Sequence, residues 1–232
     1  MKGKRIIFGI LMFLPLAVVL AALPFLPDQI PAHYGFDNQV TRWGSKYEAL
    51  LLPILTIVLG LFLLAMARYA AKHEESGKNN ENGKNNENVC LITGIVSLAL
   101  FNLMTAYFLY TDFHKVENLS EAAFDVNQLI FGFFGLCMLI IGNVMPKLRM
   151  NSMIGLRTSW SMKNEQTWKK SQRFGGISSI ISGILMILAS LMTRGLRCFM
   201  LCMGILAICL IVDVIYTRQI AKKYEKSGNQ RI

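Results

Sequence analysis

The chain has 232 residues, 53% hydrophobic and only 16% charged, with 24 basic against 14 acidic side chains and a formal net charge of +10. A soluble domain carries about a quarter charged residues, and disordered or collagen-like chains are poor in apolar ones, so those classes are excluded. The five cysteines are an odd number lying mostly in apolar runs. They are expected to be free buried thiols outside any disulfide framework.

Six apolar runs follow in chain order, each near the length needed to cross a hydrocarbon layer about 30 Å thick. The first, Ile6–Leu26, starts behind Lys2, Lys4 and Arg5. It exceeds the roughly 7–15 residues of a signal-peptide core and is expected to remain as an anchor. A loop follows with Pro27, Pro31, His33, Asp37, Arg42, Trp43, Gly44 and Lys46. Its prolines ask for extended backbone and its Gly/Asp/Asn cluster for turns. Trp43 and Lys46 suit a headgroup layer, so an ordered loop hugging the interface is expected. His33, Asp37 and Arg42, with Asp112 and His114 on the same side, lack metal-ligand spacing, and no metal or other cofactor is expected.

The second run is Tyr47–Met66 and the third Val89–Tyr110. Between them lies a tandem repeat, Gly77–Asn82 then Gly83–Asn88. It has no apolar residue to offset its ordering entropy and reads as a solvated tether over residues 71–88. The fourth run, Val126–Met145, opens into a basic connection over residues 143–176. There Ser161 or Asn164 could cap a short helix, with Glu165 at its positive end and Lys169, Lys170 and Arg173 at its negative end. Trp168 would face lipid if that helix lay on the membrane surface, although the same segment could instead be a docking surface. The fifth run, Gly175–Met192, opens with Gly175, Ser179 and Gly183, a spacing for close helix approach. The sixth, Leu196–Tyr216, puts Cys198, Cys202 and Cys209 on one face, read as small apolar packing. Asp213 interrupts it, a candidate intramembrane acid with Arg218 in reach. Asn102 and Asn143 are expected to hydrogen-bond between helices. No catalytic triad, phosphate loop or His-Glu-x-x-His motif occurs, so no enzymatic activity is expected.

Alternating the spans puts nineteen basic residues on one side and five on the other. Basic residues favour the cytoplasm, which predicts both termini inside a bacterial plasma membrane and makes the charge a topology signal ahead of a nucleic-acid one. The expected fold is all-α, with six transmembrane helices in a two-span module (residues 1–70), a linker (71–88) and a four-span core (89–232).

The two polar loops carry a resemblance. Leu26-Pro27-Asp28-Gln29-Ile30-Pro31, His33 and Arg42-Trp43-Gly44-Ser45-Lys46 resemble the two-span module that often precedes the core of the SdpI family. Gly142-Asn143, Pro146, Asn151, Ile154-Gly155, Arg157-Thr158, Trp160, Trp168 and Arg173 resemble that family's signature. Thr158-Ser159-Trp160-Ser161 stands where the family has Thr-Pro-Trp-Thr. The resemblance implies immunity against a secreted, membrane-active peptide toxin, and capture of a cytoplasmic transcriptional repressor at the membrane without direct contact to nucleic acid. The signature residues would then bind toxin or partner. A small transporter or channel, drawing on Asp213, Asn102 and the helix-interrupting Pro15 and Pro53, is the rival reading, and a membrane assembly factor without ligand is a third.

Overall fold

Backbone polar groups exposed to lipid must pair within their own segment, which makes helices of the six apolar runs. A computed structural model describes residues 2–35, 37–74, 80–121, 125–151 and 154–229. Its helices are α1 (Lys2–Ala22), α2 (Leu51–Glu74), α3 (Asn80–His114), α4 (Val126–Val144), α5 (Glu165–Met192) and α6 (Gly195–Asn229). All six are long and apolar enough to cross a membrane. Pro15 is absorbed within α1. Pro53 falls in the first turn of α2, where no intrahelical N–H donor is needed. Neither proline therefore breaks its helix, contrary to the expectation that supported a transporter.

Successive helices run antiparallel, so both termini, the α2–α3 connection and the α4–α5 connection share one end, here the terminal end. The opposite end is the hairpin end. There the first loop forms two antiparallel strands, β1 (Gln29–Tyr34) and β2 (Val40–Ser45). The expected interface-hugging loop is thus a β-hairpin, an addition to the all-α reading. It escapes notice in sequence because its strands lack an apolar/polar alternation and Pro31 lies inside β1.

The hairpin docks on the α3–α4 connection. Val40 N–H donates to the Glu117 carbonyl at 2.9 Å, the Tyr34 hydroxyl to that of Val116 at 2.8 Å, and Leu119 N–H to that of Asn38 at 3.0 Å. Phe8 and Met12 of α1, Ala67 of α2 and Cys90, Leu91 and Leu98 of α3 form one buried cluster, so the first two helices share a core with the third.

On α4 and α5, Gly135 faces Gly183 and Gly142 faces Gly176. A Cβ on any of them would come within 2.6–2.7 Å of the opposing glycine's carbonyl oxygen. Bare backbone lets two helices meet this closely without apolar side chains between them. The predicted small-residue face holds at Gly183 but turns by one residue at its start. Gly176 makes the crossing, while Gly175 packs under Met145 and Leu156.

Two connections differ from expectation. The repeat is helical from Asn80 onward, and Asn86 and Glu87 are buried. Arg5 of α1 pairs with Glu87, and Lys4 donates to Asn88. The tether is therefore the first turns of α3, stabilised by tertiary partners that composition cannot reveal; residues 77–79 lie outside the described ones. The expected surface helix is likewise part of a longer element. Asn164 caps it, accepting from Thr167 N–H at 2.8 Å, and α5 runs on unbroken to Met192.

Candidate functional site

At the terminal end, the connection from Pro146 to Asn164 is short of regular structure, so its backbone groups need side-chain partners. Two amides supply them. Gln172, fully buried on α5, accepts from Leu156 N–H at 2.9 Å and donates to the Leu156 carbonyl at 3.0 Å. Asn86 on α3 does the same to Arg149, accepting from its N–H at 3.1 Å and donating to its carbonyl at 3.4 Å. Each amide stands in for a strand partner. Gly155 has φ +105°, and a Cβ there would also strike the Gln172 amide at 2.6 Å, so this turn requires glycine.

Around that turn, Asn151 accepts from Ile154 N–H at 2.8 Å. Ser161 Oγ accepts from Thr158 N–H at 2.8 Å, and Thr158 Oγ1 accepts from Ser161 N–H at 3.0 Å. The Thr158 hydroxyl reaches Thr217 of α6 at 3.2 Å, and Arg218 stacks over the Trp160 ring. Trp168 is 1% exposed and donates its indole N–H to the Leu148 carbonyl at 2.9 Å. It is a core residue and does not face lipid as expected. The signature residues thus divide. Asn151, Gly155, Thr158 and Trp168 build the loop, and Trp160 joins it to α6. Arg157 and Arg173 stay exposed, with no hydrogen-bond or ion partner among the described residues. Asn143 is also exposed and, among the described residues, makes no bond between helices.

At the hairpin end, the two halves of the first motif are paired strands. Pro31 lies opposite Trp43, His33 opposite Arg42, and Ile30 opposite Gly44. Arg42 grips Glu48 through both terminal guanidinium nitrogens, Nη1 and Nη2, at 3.0 and 2.7 Å, and this hydrogen-bonded carboxylate raises the arginine's pKa. Gly44 leaves room for the pair, since a Cβ would meet the Glu48 carboxylate at 2.2 Å. Lys46 donates to Asp28 at 2.8 Å, which holds the Asp28 carboxyl below its ordinary pKa. Burial pushes the Tyr34 phenol upward. His33 Nδ1 lies 2.6 Å from Thr41 Oγ1, while His114 Nδ1 lies 2.9 Å from the Tyr110 carbonyl of its own helix. Among the described residues, no three metal-ligating side chains converge.

Beneath the hairpin lies a partly open cavity of about 470 Å³, walled by β1, the start of α2, α3 and the first turns of α4 and α6. Asp112 of α3 lines it and is 4% exposed. Sequence reading touched Asp112 only as a remote metal candidate and missed Glu48, Gln172 and Asn86 altogether. Their partners lie 6, 16 and 63 residues away. Only the Arg42–Glu48 spacing is short enough to have suggested a pairing.

Of the intramembrane polar residues, Asn102 bonds between helices as expected, donating to the Leu11 carbonyl of α1 at 2.8 Å. Asp213 is buried beside Cys209 and Ser178, and among the described residues its Oδ1 has no hydrogen-bond partner. Arg218 sits over Trp160 instead of pairing with it.

Residues 147–217 match the SdpI/YfhL protein family, and residues 10–57 match a domain of unknown function, DUF1648. Over 226 residues the chain is 24% identical to "Immunity protein SdpI" of Bacillus subtilis (strain 168), covering 97% of this chain and 99% of that protein. No solved structure matches. Nearly all of the α4–α5 connection, all of α5 and most of α6 fall within the first match, while most of α1, the hairpin and the start of α2 fall within the second.

Proposed function

We propose, from the premise that the chain belongs to the SdpI family, that it is a multi-pass membrane immunity protein protecting its producer against a secreted, membrane-active peptide. The observation that carries this reading is the end-to-end alignment with an immunity protein, which spans both loops that the fold organises. Nineteen of 24 basic residues belong to the terminal end, which supports an orientation with both termini in the cytoplasm. The hairpin end then faces the peptide, and the signature loop faces the cytoplasm. Exposed Arg157 and Arg173, beside a loop held by buried amides, suit a docking surface for an acidic partner such as a cytoplasmic repressor. Transmission between the ends requires that the peptide bind one of two states more tightly.

The test is expression in a toxin-sensitive bacterium, scored for survival, with membrane levels checked in parallel. Survival with wild type and loss with Arg157→Ala at equal membrane levels is the expected result for a signalling or protective site. No protection by wild type at normal levels would discard the immunity reading.

A further inference from the structure

The cavity beneath the hairpin is electrostatically unlike the rest of the chain. The protein carries a net charge of +10, yet among the described residues no lysine or arginine lines this cavity. Its acids are Glu48 and Asp112. Glu48 is fully engaged by Arg42, and the Tyr34 hydroxyl is committed to the Val116 carbonyl. Asp112 is different. Among the described residues its carboxylate has no hydrogen bond and no ion pair, although the residue is 96% buried by the complement of its 4% exposure. The remaining wall is mostly apolar, with Val19, Ile30, Leu52, Phe108, Leu109 and Phe199.

A buried carboxylate without a partner is costly, and a cation that brings its own apolar body removes that cost while filling the cavity. A volume near 470 Å³ is within the range of small-ligand sites and admits a few side chains of a peptide. We propose that this cavity is a binding site for an ammonium group carried on an apolar peptide segment, with Asp112 as its counter-ion. The site rests on geometry alone. That its natural ligand is a peptide rests on the immunity reading.

The protein, purified whole in phosphatidylcholine nanodiscs at neutral pH, is titrated with N-acetyl-Leu-Lys-Leu-amide. The same peptide with norleucine replacing lysine is the control, and hexylamine against hexan-1-ol repeats the comparison without a peptide backbone. The ammonium member of each pair is expected to bind about tenfold more tightly, the usual scale of one added charge contact. Asp112→Asn keeps the shape and removes the charge, so it should erase the difference between the members of each pair. Ala49→Phe, which fills the cavity and leaves the carboxylate intact, should weaken all four probes. Equal binding within each pair, or a preference that survives Asp112→Asn, would overturn the site. If phosphatidylethanolamine in the nanodiscs competes with the lysine peptide, a lipid headgroup is the occupant and the peptide assignment falls.

Survival of a toxin-sensitive host is read separately. Protection by wild type without any ammonium preference discards the site and leaves the immunity reading standing. An ammonium preference without protection discards the peptide as natural ligand.

Discussion

A tryptophan and an arginine of the signature segment have different tasks. Trp168 is in the core with its indole N–H bonded to a backbone carbonyl, so Trp168→Ala should cost about 3–5 kcal/mol of stability. Trp168→Phe keeps an aromatic ring, though a smaller one, and strands the Leu148 carbonyl, at roughly 1–3 kcal/mol for the lost hydrogen bond. Arg157 is exposed and partnerless among the described residues, so Arg157→Ala should change stability by no more than about 0.5 kcal/mol. Thermal unfolding in detergent checks all three. The contrast separates residues that build the loop from those that present it, and a large stability loss from Arg157→Ala would place it in the first group. The α5 cap was legible in sequence because Asn164 and Glu165 sit next to what they stabilise. The Trp168 role was not, since a tryptophan beside lysines has the same signature in a core as at a headgroup layer.

Between helices, contact of bare backbone without side chains decides the packing of α4 on α5. Gly183→Ala puts a methyl 2.6 Å from the Gly135 carbonyl oxygen and must push the helices apart, whereas Gly204→Ala on α6 meets nothing within 4 Å. The first should lower the melting temperature, and the second should leave it unchanged or raise it slightly, because alanine is the better helix former. The repeat offers a second comparison. Asn86→Ala removes both bonds to Arg149; the carbonyl keeps the Asn151 amide at 2.8 Å, but the backbone N–H loses its partner, at about 1–3 kcal/mol. Faster hydrogen exchange at Arg149 N–H would report it, whereas unchanged exchange would return the segment to the status of a tether. Apolar runs revealed all six helices, yet the ends of α3 and α5 were misjudged by about two turns or more. Beyond the apolar run a helix is sustained by tertiary partners such as Arg5 with Glu87, and no local pattern records them.

For the molecule as a whole, orientation is the first thing to measure. Its five natural cysteines are buried, so an introduced one should stand out against a low background. Ser159→Cys at the terminal end should resist an impermeant thiol reagent in intact cells, and Gln39→Cys in the hairpin should react. The reverse pattern would invert the assignment of both sites. Asn38 is unsuitable for this purpose, being buried against the α3–α4 connection with φ +65°. The unbroken course of α5 has a mechanical consequence. Its 28 residues extend roughly 42 Å at about 1.5 Å per residue. One extremity is bolted to the signature turn through Gln172. The other is fastened under the hairpin end, where Gln128 donates to the Ser190 carbonyl at 2.8 Å. With the glycine crossing near its middle as fulcrum, α5 is a lever: a pivot of about 5° swings an extremity roughly 20 Å away by about 2 Å. Such a swing exceeds the reach of a hydrogen bond's tolerance, so a wedge seated beneath the hairpin could unlatch the turn on the far side of the bilayer.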